Sequence, residues 1–499
     1  MNRFFLTIIV VFSFFQVNSQ EVNGCVISDT ANLTVIKVWG THYERGYAYG
    51  YLAGDGMTDI FVNYLQPMFG GAINIARQWI EDGENLFIEE KYKNEAVGMI
   101  DGMDAAGINT EEFDYIDVLV CNSFLDFYSF YKNNKIETPG CSALMSWGDA
   151  TAGTDIDGNS AITRHVDWSQ HQSLKRNQVM VVHVPSETDE QPWIMIGFKG
   201  QISVLSGVNN SGIACFMHSL GDVSATASTG KAYEPIWFSL RKALEQKDYN
   251  QDQKDDVNDI RSVLLDNEWG YAQASIVSCI SSSENVEDTL IAMVAELASD
   301  KPYTTFRNNL YEDNIPGDNL YAANSSIKRN DSHNYCSRYN SVVANIGDGT
   351  EIGSLENLGI LRDFSHSSST NMQMMQFIPD ERIFKISVTD DENFAYQKEP
   401  LIFNIDSLFA FQTVTNYEKN ADAFLIFPNP TKGKVNILYA SQNYEVIVDI
   451  INVSGQVITR ENYNLSNKYL YTQIQLDSGV YSIRIIDGNK ILSKKIIVK

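Results

Sequence analysis

At residue 141 the hydrophobic periodicity of the chain changes, and that change restricts the fold more than any other feature. Upstream, residues 43–132 carry apolar side chains at helical spacing, interrupted at Gly70-Gly71 and again at Gly102 and Gly107. Downstream come short β-rich runs, SALMSW, SAITRHV, QVMVVHV, PWIMIGF and GIACFMH, divided by Gly, Asp and Asn. A strand-like run, LTVIKVW, precedes the helical part at residues 33–39. Residues 234–246, 253–265 and 286–297 read as helices and 319–323 as a strand. Residues 372–388 read as a hairpin turning at Pro379-Asp380. Helices between blocks of antiparallel strands predict an α+β fold of four layers, αββα, with both sheet faces covered.

The pattern weakens over residues 404–424, which read as a linker. Residues 425–499 form about seven short strands with Gly and Asn turns, the pattern of a small all-β, immunoglobulin-like sandwich. At the other end, Arg3 and the apolar run through Phe15, ending in Val17-Asn18-Ser19, read as a signal peptide over residues 1–19. That run is too short to span a bilayer comfortably, and no other stretch is apolar enough to do so. The chain therefore divides into a leader (1–19), a helical segment (20–140), a main body (141–403), a linker (404–424) and a terminal sandwich (425–499). The expected protein is exported, with no transmembrane segment.

A net charge of −26 argues against nucleic acid, which needs a basic face. Export permits disulfides. The six cysteines, Cys25, Cys121, Cys141, Cys215, Cys279 and Cys336, are scattered, with no CxxC or Cys/His pair to suggest zinc. Six allow three bridges; if Cys141 stays free, at least one other thiol is unpaired.

Cys141 follows Pro139-Gly140 and opens a strand-like run. It can be half a disulfide, a packed thiol or a nucleophile. A nucleophilic thiol needs a nearby base. None of His42, His165, His171, His183, His218, His333 or His366 lies in a papain-like setting. Cleavage between Gly140 and Cys141 would supply a base of another kind. The freed α-amine has a reference pKa of about 7.7–8.0, so one residue would carry both nucleophile and base. Gly140, without a Cβ, tolerates a strained scissile peptide.

PGCSALMSW followed by DGNSAITRHVDW resembles the cysteine branch of the N-terminal-nucleophile (Ntn) hydrolases. That group includes acyl-CoA:6-aminopenicillanate acyltransferase, acid ceramidase and choloylglycine hydrolase. VIKVWGTHYERGYAYGYLAG, VLSGVNNSGIACFMHSL, YAANSSI and YCSRYNSV resemble further family segments in order, so the similarity spans roughly residues 30–390. The resemblance implies an Ntn-hydrolase fold that frees Cys141 by self-cleavage, the fragments staying associated. It implies hydrolysis of the linear amide of a small N-acyl compound through an acyl-cysteine, without metal or cofactor. Alternatives are acyl transfer to an amine and a non-catalytic surface binding protein on the same fold. The resemblance makes Arg164 and Asp167 the pair beside the nucleophile, Asn324 an oxyanion donor and Arg338 a buttress. A main-chain N–H near His218 would be the second donor. Substrate-binding residues are left unassigned. The stretch between Cys141 and Arg164 is longer than in bile salt hydrolases, and that between Asn324 and Arg338 shorter, which disfavours a bile salt.

The tail pieces FPNPTKGKVNI, DIINVSGQVI, LDSGVYSIRI and KKIIVK resemble the C-terminal sorting domain of the type IX secretion system of Bacteroidetes. This implies that the secretion machinery is a partner and that the protein is secreted or held at the cell surface.

Overall fold

The computed structural model describes residues 21–499 apart from 31, 112, 132–139, 222–225, 284–289, 309–314, 366–367, 411–423, 428–430, 432, 442, 454, 466–468 and 489. The reading of residues 1–19 as a leader, His366, and most of the linker lie outside the described residues.

Two sheets form the body. The larger has nine strands in the spatial order Gly24–Thr30, Leu33–Gly40, Gln178–Pro185, Trp193–Phe198, Ser206–Asn209, Ala214–Ser219, Ser275–Ile280, Ala292–Leu297 and Thr304–Asn308. The smaller has six, in the order Asn319–Ala322, Cys141–Ser146, Ala161–Asp167, Asn371–Ile378, Ile383–Val388 and Leu401–Asn404. All neighbours are antiparallel except Leu33–Gly40 beside Gln178–Pro185, where the first part of the chain enters the sheet in parallel.

The sheets face each other across a core of Val35, Ala143, Ile162, Met180, Ile194 and Phe377, among others. On the far face of the large sheet, Val181, Met195 and Met217 pack under helices that supply Tyr49, Met99, Leu119 and Leu240. On the far face of the small sheet, Leu144, Tyr321 and Met374 pack under Tyr339, Val342 and Leu361. The order is helix, sheet, sheet, helix, the four layers expected. Strands buried on both faces lose the alternation that marks a half-exposed strand. That is why residues 286–297 read as a helix, whereas Ala292–Leu297 is a strand, buried throughout and paired on both sides. The first residues read as linker also pack: Ile405–Phe409 is a short helix whose Ile405, Leu408 and Phe409 join the core between the sheets.

Gly102 does not break its helix. Glu90–Ala105 runs through it and stops before Gly107, whose φ is +77°. The glycine instead lets two helices touch. His42–Ile60, begun by a Thr41–Glu44 capping box, crosses Glu90–Ala105 at Gly46, Gly50, Gly98 and Gly102. A Cβ at Gly50 would lie 1.9 Å from Met99 O, and one at Gly102 would lie 2.0 Å from Tyr47 O. Backbone leaves no room for a methyl group.

The terminal sandwich has its own core. A three-stranded sheet (Leu425–Phe427, Lys434–Ala440, Tyr469–Gln475) and a four-stranded sheet (Glu445–Asn452, Val457–Asn464, Gly479–Asp487, Lys490–Val498) enclose Val435, Ile437, Val448, Ile450, Ile483 and Ile485. No described helix is long and apolar enough to cross a membrane.

Gly50→Ala should destabilise the body by about 2–3 kcal/mol through overpacking. Gly71→Ala, where a methyl group meets nothing within 4 Å, should be neutral or slightly stabilising in the same denaturant titration. Removing residues 425–499 should leave the melting transition of the body in place, because no side chain of the sandwich core belongs to the body's cores; scanning calorimetry would detect a shift.

Candidate active site

Cys141 opens a central strand of the small sheet and points into the core between the sheets. Its register partner is Val166, and that of Ala143 is Arg164. Residues two apart on a strand share a face, so Arg164 also points inward, fully buried. Arg164 Nη2 lies 3.9 Å from Cys141 Sγ and donates to Met217 O at 2.6 Å. The Cys141 backbone N–H donates to Asn324 Oδ1 at 2.9 Å. Asn324 Nδ2 donates to Ser219 O at 2.6 Å. Arg338, in the first turn of Ser337–Asn345, donates to Asn324 Oδ1 and, at 3.2 Å, to Cys141 O. Asp167 ends the neighbouring strand, and Ser368 Oγ donates to its Oδ1 at 2.7 Å. The structure thus brings Cys141, Arg164, Asp167, Asn324 and Arg338 around one thiol, with Gly140 beside them.

Two contributors were not read from the sequence. The Asp167 backbone N–H donates to Gly140 O at 2.7 Å, engaging the carbonyl of the Gly140–Cys141 bond. Ser368 lies in a Ser-rich loop with no signal of its own. Glycine at 140 has a further reason. Its φ lies outside the left-handed region, but a Cβ would sit 2.9 Å from Asp167 Oδ2 and 3.4 Å from Arg338 Nη1. Space therefore favours a small residue here.

Burial pushes the Cys141 thiol up, against the pull of the Arg164 and Arg338 cations and the Asp167 N–H. Burial lowers Arg164 to about 10, still charged at neutral pH. Burial raises Asp167 to about 6, with Ser368 and Arg338 opposing. His218 is engaged in the large sheet: its Nε2 lies 2.8 Å from Ser278 Oγ, and burial holds it well below the usual histidine range. Near it, the N–H groups of Leu220 and Gly221 are taken by Ala274 O and Asn324 O. The long stretch between Cys141 and Arg164 turns outward, where Asp155 accepts from Ser354 N at 2.8 Å in the outer helix layer.

His42, Glu190 and Glu245 place ligand-type atoms within 4.8 Å of one another. They are already occupied by protein cations. Lys91 Nζ lies 2.8 Å from Glu245 and 3.3 Å from Glu190, Arg45 Nη2 is 3.1 Å from Glu190, and Arg241 Nε is 2.9 Å from Glu245. A divalent ion would have to displace a lysine, so the cluster reads as a buried ionic network.

A pocket of about 510 Å³, its mouth included, opens between the first helices and the large sheet. Ile60, Phe61, Leu65, Phe124, Trp168 and Trp237 make its walls mostly apolar. Trp168 directly follows Asp167, so one wall of the pocket is continuous with the chain at the thiol.

Residues 425–499 match the secretion system C-terminal sorting domain, and on that domain the protein is a type IX secretion substrate, destined for the cell surface or the exterior. A curated relative, protein dcd1B of Dictyostelium discoideum, is 20% identical over 241 residues, 44% of this chain and 43% of that protein. The chain thus spans less than half the length of that relative. Among solved structures, the N-acylethanolamine-hydrolyzing acid amidase ortholog of Caenorhabditis elegans is 11% identical, with a TM-score of 0.34 over 53% of this chain and 100% of that one. A variant of the conjugated bile acid hydrolase of Clostridium perfringens is 13% identical, with a TM-score of 0.32 over 53% and 93%.

Because Asp167 is raised from 3.8 to about 6, the folded state holds a proton there that the unfolded chain releases earlier. Its contribution to stability is therefore greatest below pH 3.8 and is lost as pH rises through about 6. Asp167→Asn, which mimics the protonated acid, should gain stability relative to wild type between pH 4 and pH 7. Denaturant midpoints at several pH values would measure this, and parallel curves would contradict it.

Proposed function

We propose that the protein is an exported amidohydrolase of the N-terminal-nucleophile type. Cys141, freed from Gly140, cleaves the linear amide of an N-acyl compound. The observation that carries this reading is that one residue presents both its sulfur and its nitrogen to a single polar cluster inside an otherwise apolar core. A buried thiol used only for packing needs no guanidinium 3.9 Å away.

The first step is self-cleavage of the intact chain. Sγ attacks the Gly140 carbonyl carbon, and the oxyanion forms where the Asp167 N–H already donates. The Cys141 nitrogen takes a proton and leaves, and water hydrolyses the Gly140 thioester. In turnover the freed amine takes the thiol proton and the thiolate attacks the substrate carbonyl. Asn324 stabilises the oxyanion through its amide, the Cys141 α-ammonium returns its proton to the leaving nitrogen so that the substrate's amine departs, and water then releases the acyl group from Cys141. The apolar pocket beside Trp168 suits an acyl chain. Outside the cell acyl-CoA is scarce, which favours water over an amine as acceptor.

The mature protein should show new N-termini at Gln20 and Cys141. Cys141→Ala should abolish both cleavage and turnover, since it removes the sulfur that starts both reactions. Asn324→Ala should lower turnover by roughly 10²–10³ and leave the fold intact. Mass spectrometry and an assay on N-acyl amides would measure these separately. An intact Gly140–Cys141 bond in folded, inactive wild-type protein would favour the binding-protein alternative. Processed, active Cys141→Ala would place the nucleophile elsewhere.

A further inference from the structure

We propose that Cys215 and Cys279 form a disulfide in the exported protein, cross-linking the strands Ala214–Ser219 and Ser275–Ile280. The two residues are direct register partners on adjacent antiparallel strands, and their sulfurs lie 3.3 Å apart. Residues so opposed have Cα atoms about 4.5–5.5 Å apart, inside the range of about 4.4–6.8 Å that disulfides span. Closing the bond asks for a side-chain adjustment and no shift of backbone. The sorting domain sends the chain to an oxidising compartment, where such a pair persists.

The topology also separates this pair from the nucleophile. Cys215 and Cys279 face the helix-covered side of the large sheet, with Met217 and Val277. Cys141 lies in the core between the sheets. Cys25 pairs with Lys37 near the other end of the large sheet, Cys121 ends a helix and Cys336 precedes one. The cross-link therefore forms without consuming Cys141. Both sulfurs are fully buried in the folded body, so the exchange takes place as the two strands pair and before helices cover them. One thiolate attacks the disulfide of a thiol oxidase in the export compartment, giving a mixed disulfide and releasing one oxidase thiolate. The second thiolate attacks the mixed disulfide at the sulfur belonging to this chain and releases the reduced oxidase. Two electrons and two protons pass in all from the cysteine pair to the oxidase, which leaves as its dithiol.

The bond braces the site from behind. The strand it holds carries Met217 O, which accepts from Arg164, and Ser219 O, which accepts from Asn324. The cross-link does not depend on the amidase reading, and its test uses no substrate.

Full-length protein taken from an oxidising compartment is denatured without reductant, alkylated, digested and mapped by mass. The expected result is one Cys215–Cys279 peptide pair, about 2 Da lighter than the two reduced peptides together, with Cys141 alkylated. Cys215→Ala, Cys279→Ala and the double variant should each melt lower by the same amount, about 5–10 °C, since each removes the same bond. Wild type melted with reductant should fall to the same temperature. Both cysteines recovered alkylated from wild type, or small additive shifts insensitive to reductant, would show two packed thiols and overturn the proposal.

Discussion

The hydrogen bond from Arg164 to Met217 O crosses from one sheet to the other, and the candidate site depends on it. It puts a guanidinium, 0% exposed, into the core between the sheets, with its cation 5.3 Å over the Phe216 ring. Its Nε and Nη1 have no hydrogen-bond partner among the described residues. Such a group costs stability, and an apolar side chain of similar volume would pack there at less cost. What the arginine supplies is a positive field beside the thiol, which opposes the effect of burial without overcoming it. It also ties the small sheet to the strand that carries both Met217 O and Ser219 O, and the second polar anchor of the site, Asn324, donates to Ser219 O on that same strand.

The helical first part of the chain is bound to the rest by charge as well as by apolar packing. From residues before 140 come His42, Arg45, Lys91 and Glu95; from residues after it come Glu187, Glu190, Arg241 and Glu245. His42 bridges Glu95 and Glu190 at 2.8 Å each, and Arg241 reaches back to Glu95 at 2.5 Å. Burial opposes the His42 charge, but the two carboxylates win and raise it above the usual histidine range. This contribution is complete below the unfolded pKa of about 6.5 and is lost as pH rises through the folded value. Leu33–Gly40 adds eight register pairs to Gln178–Pro185. A cut at Gly140–Cys141 would sever none of these contacts.

Much of this was legible in the sequence because the change of period at residue 141 coincides with a real boundary between helices and a strand. The hairpin at Pro379 could be read because Asn371–Ile378 and Ile383–Val388 flank a short turn. Strands buried on both faces were harder, as Ala292–Leu297 shows. Gly102 misled because a sequence gives no sign of whether a glycine ends a helix or lets a neighbour close in. At the site, the motif residues could be named one by one. The Asp167 N–H, Ser368 and the pocket behind Trp168 could not, because they arise from how distant segments meet.

The surroundings of the Cys141 nitrogen bear on whether a freed amine could act as a base. In the intact chain that nitrogen donates one hydrogen to Asn324 Oδ1, an oxygen that also accepts from Arg338. A terminal amine there would have the Arg338 cation close by, which disfavours a second positive charge and holds the amine toward its neutral, basic form. Asp167 pulls the other way once ionised, and its pKa of about 6 means that it is ionised at neutral pH. The two are therefore opposed across one nitrogen. Arg338 has a fixed charge, so Asp167 is the one of the pair that titrates near neutrality. Acidification through about 6 would remove the group that favours ammonium and leave the one that disfavours it. At neutral pH, where Asp167 is ionised, the carboxylate works against Arg338, so the basicity of a freed amine there would rest on the balance between these two side chains.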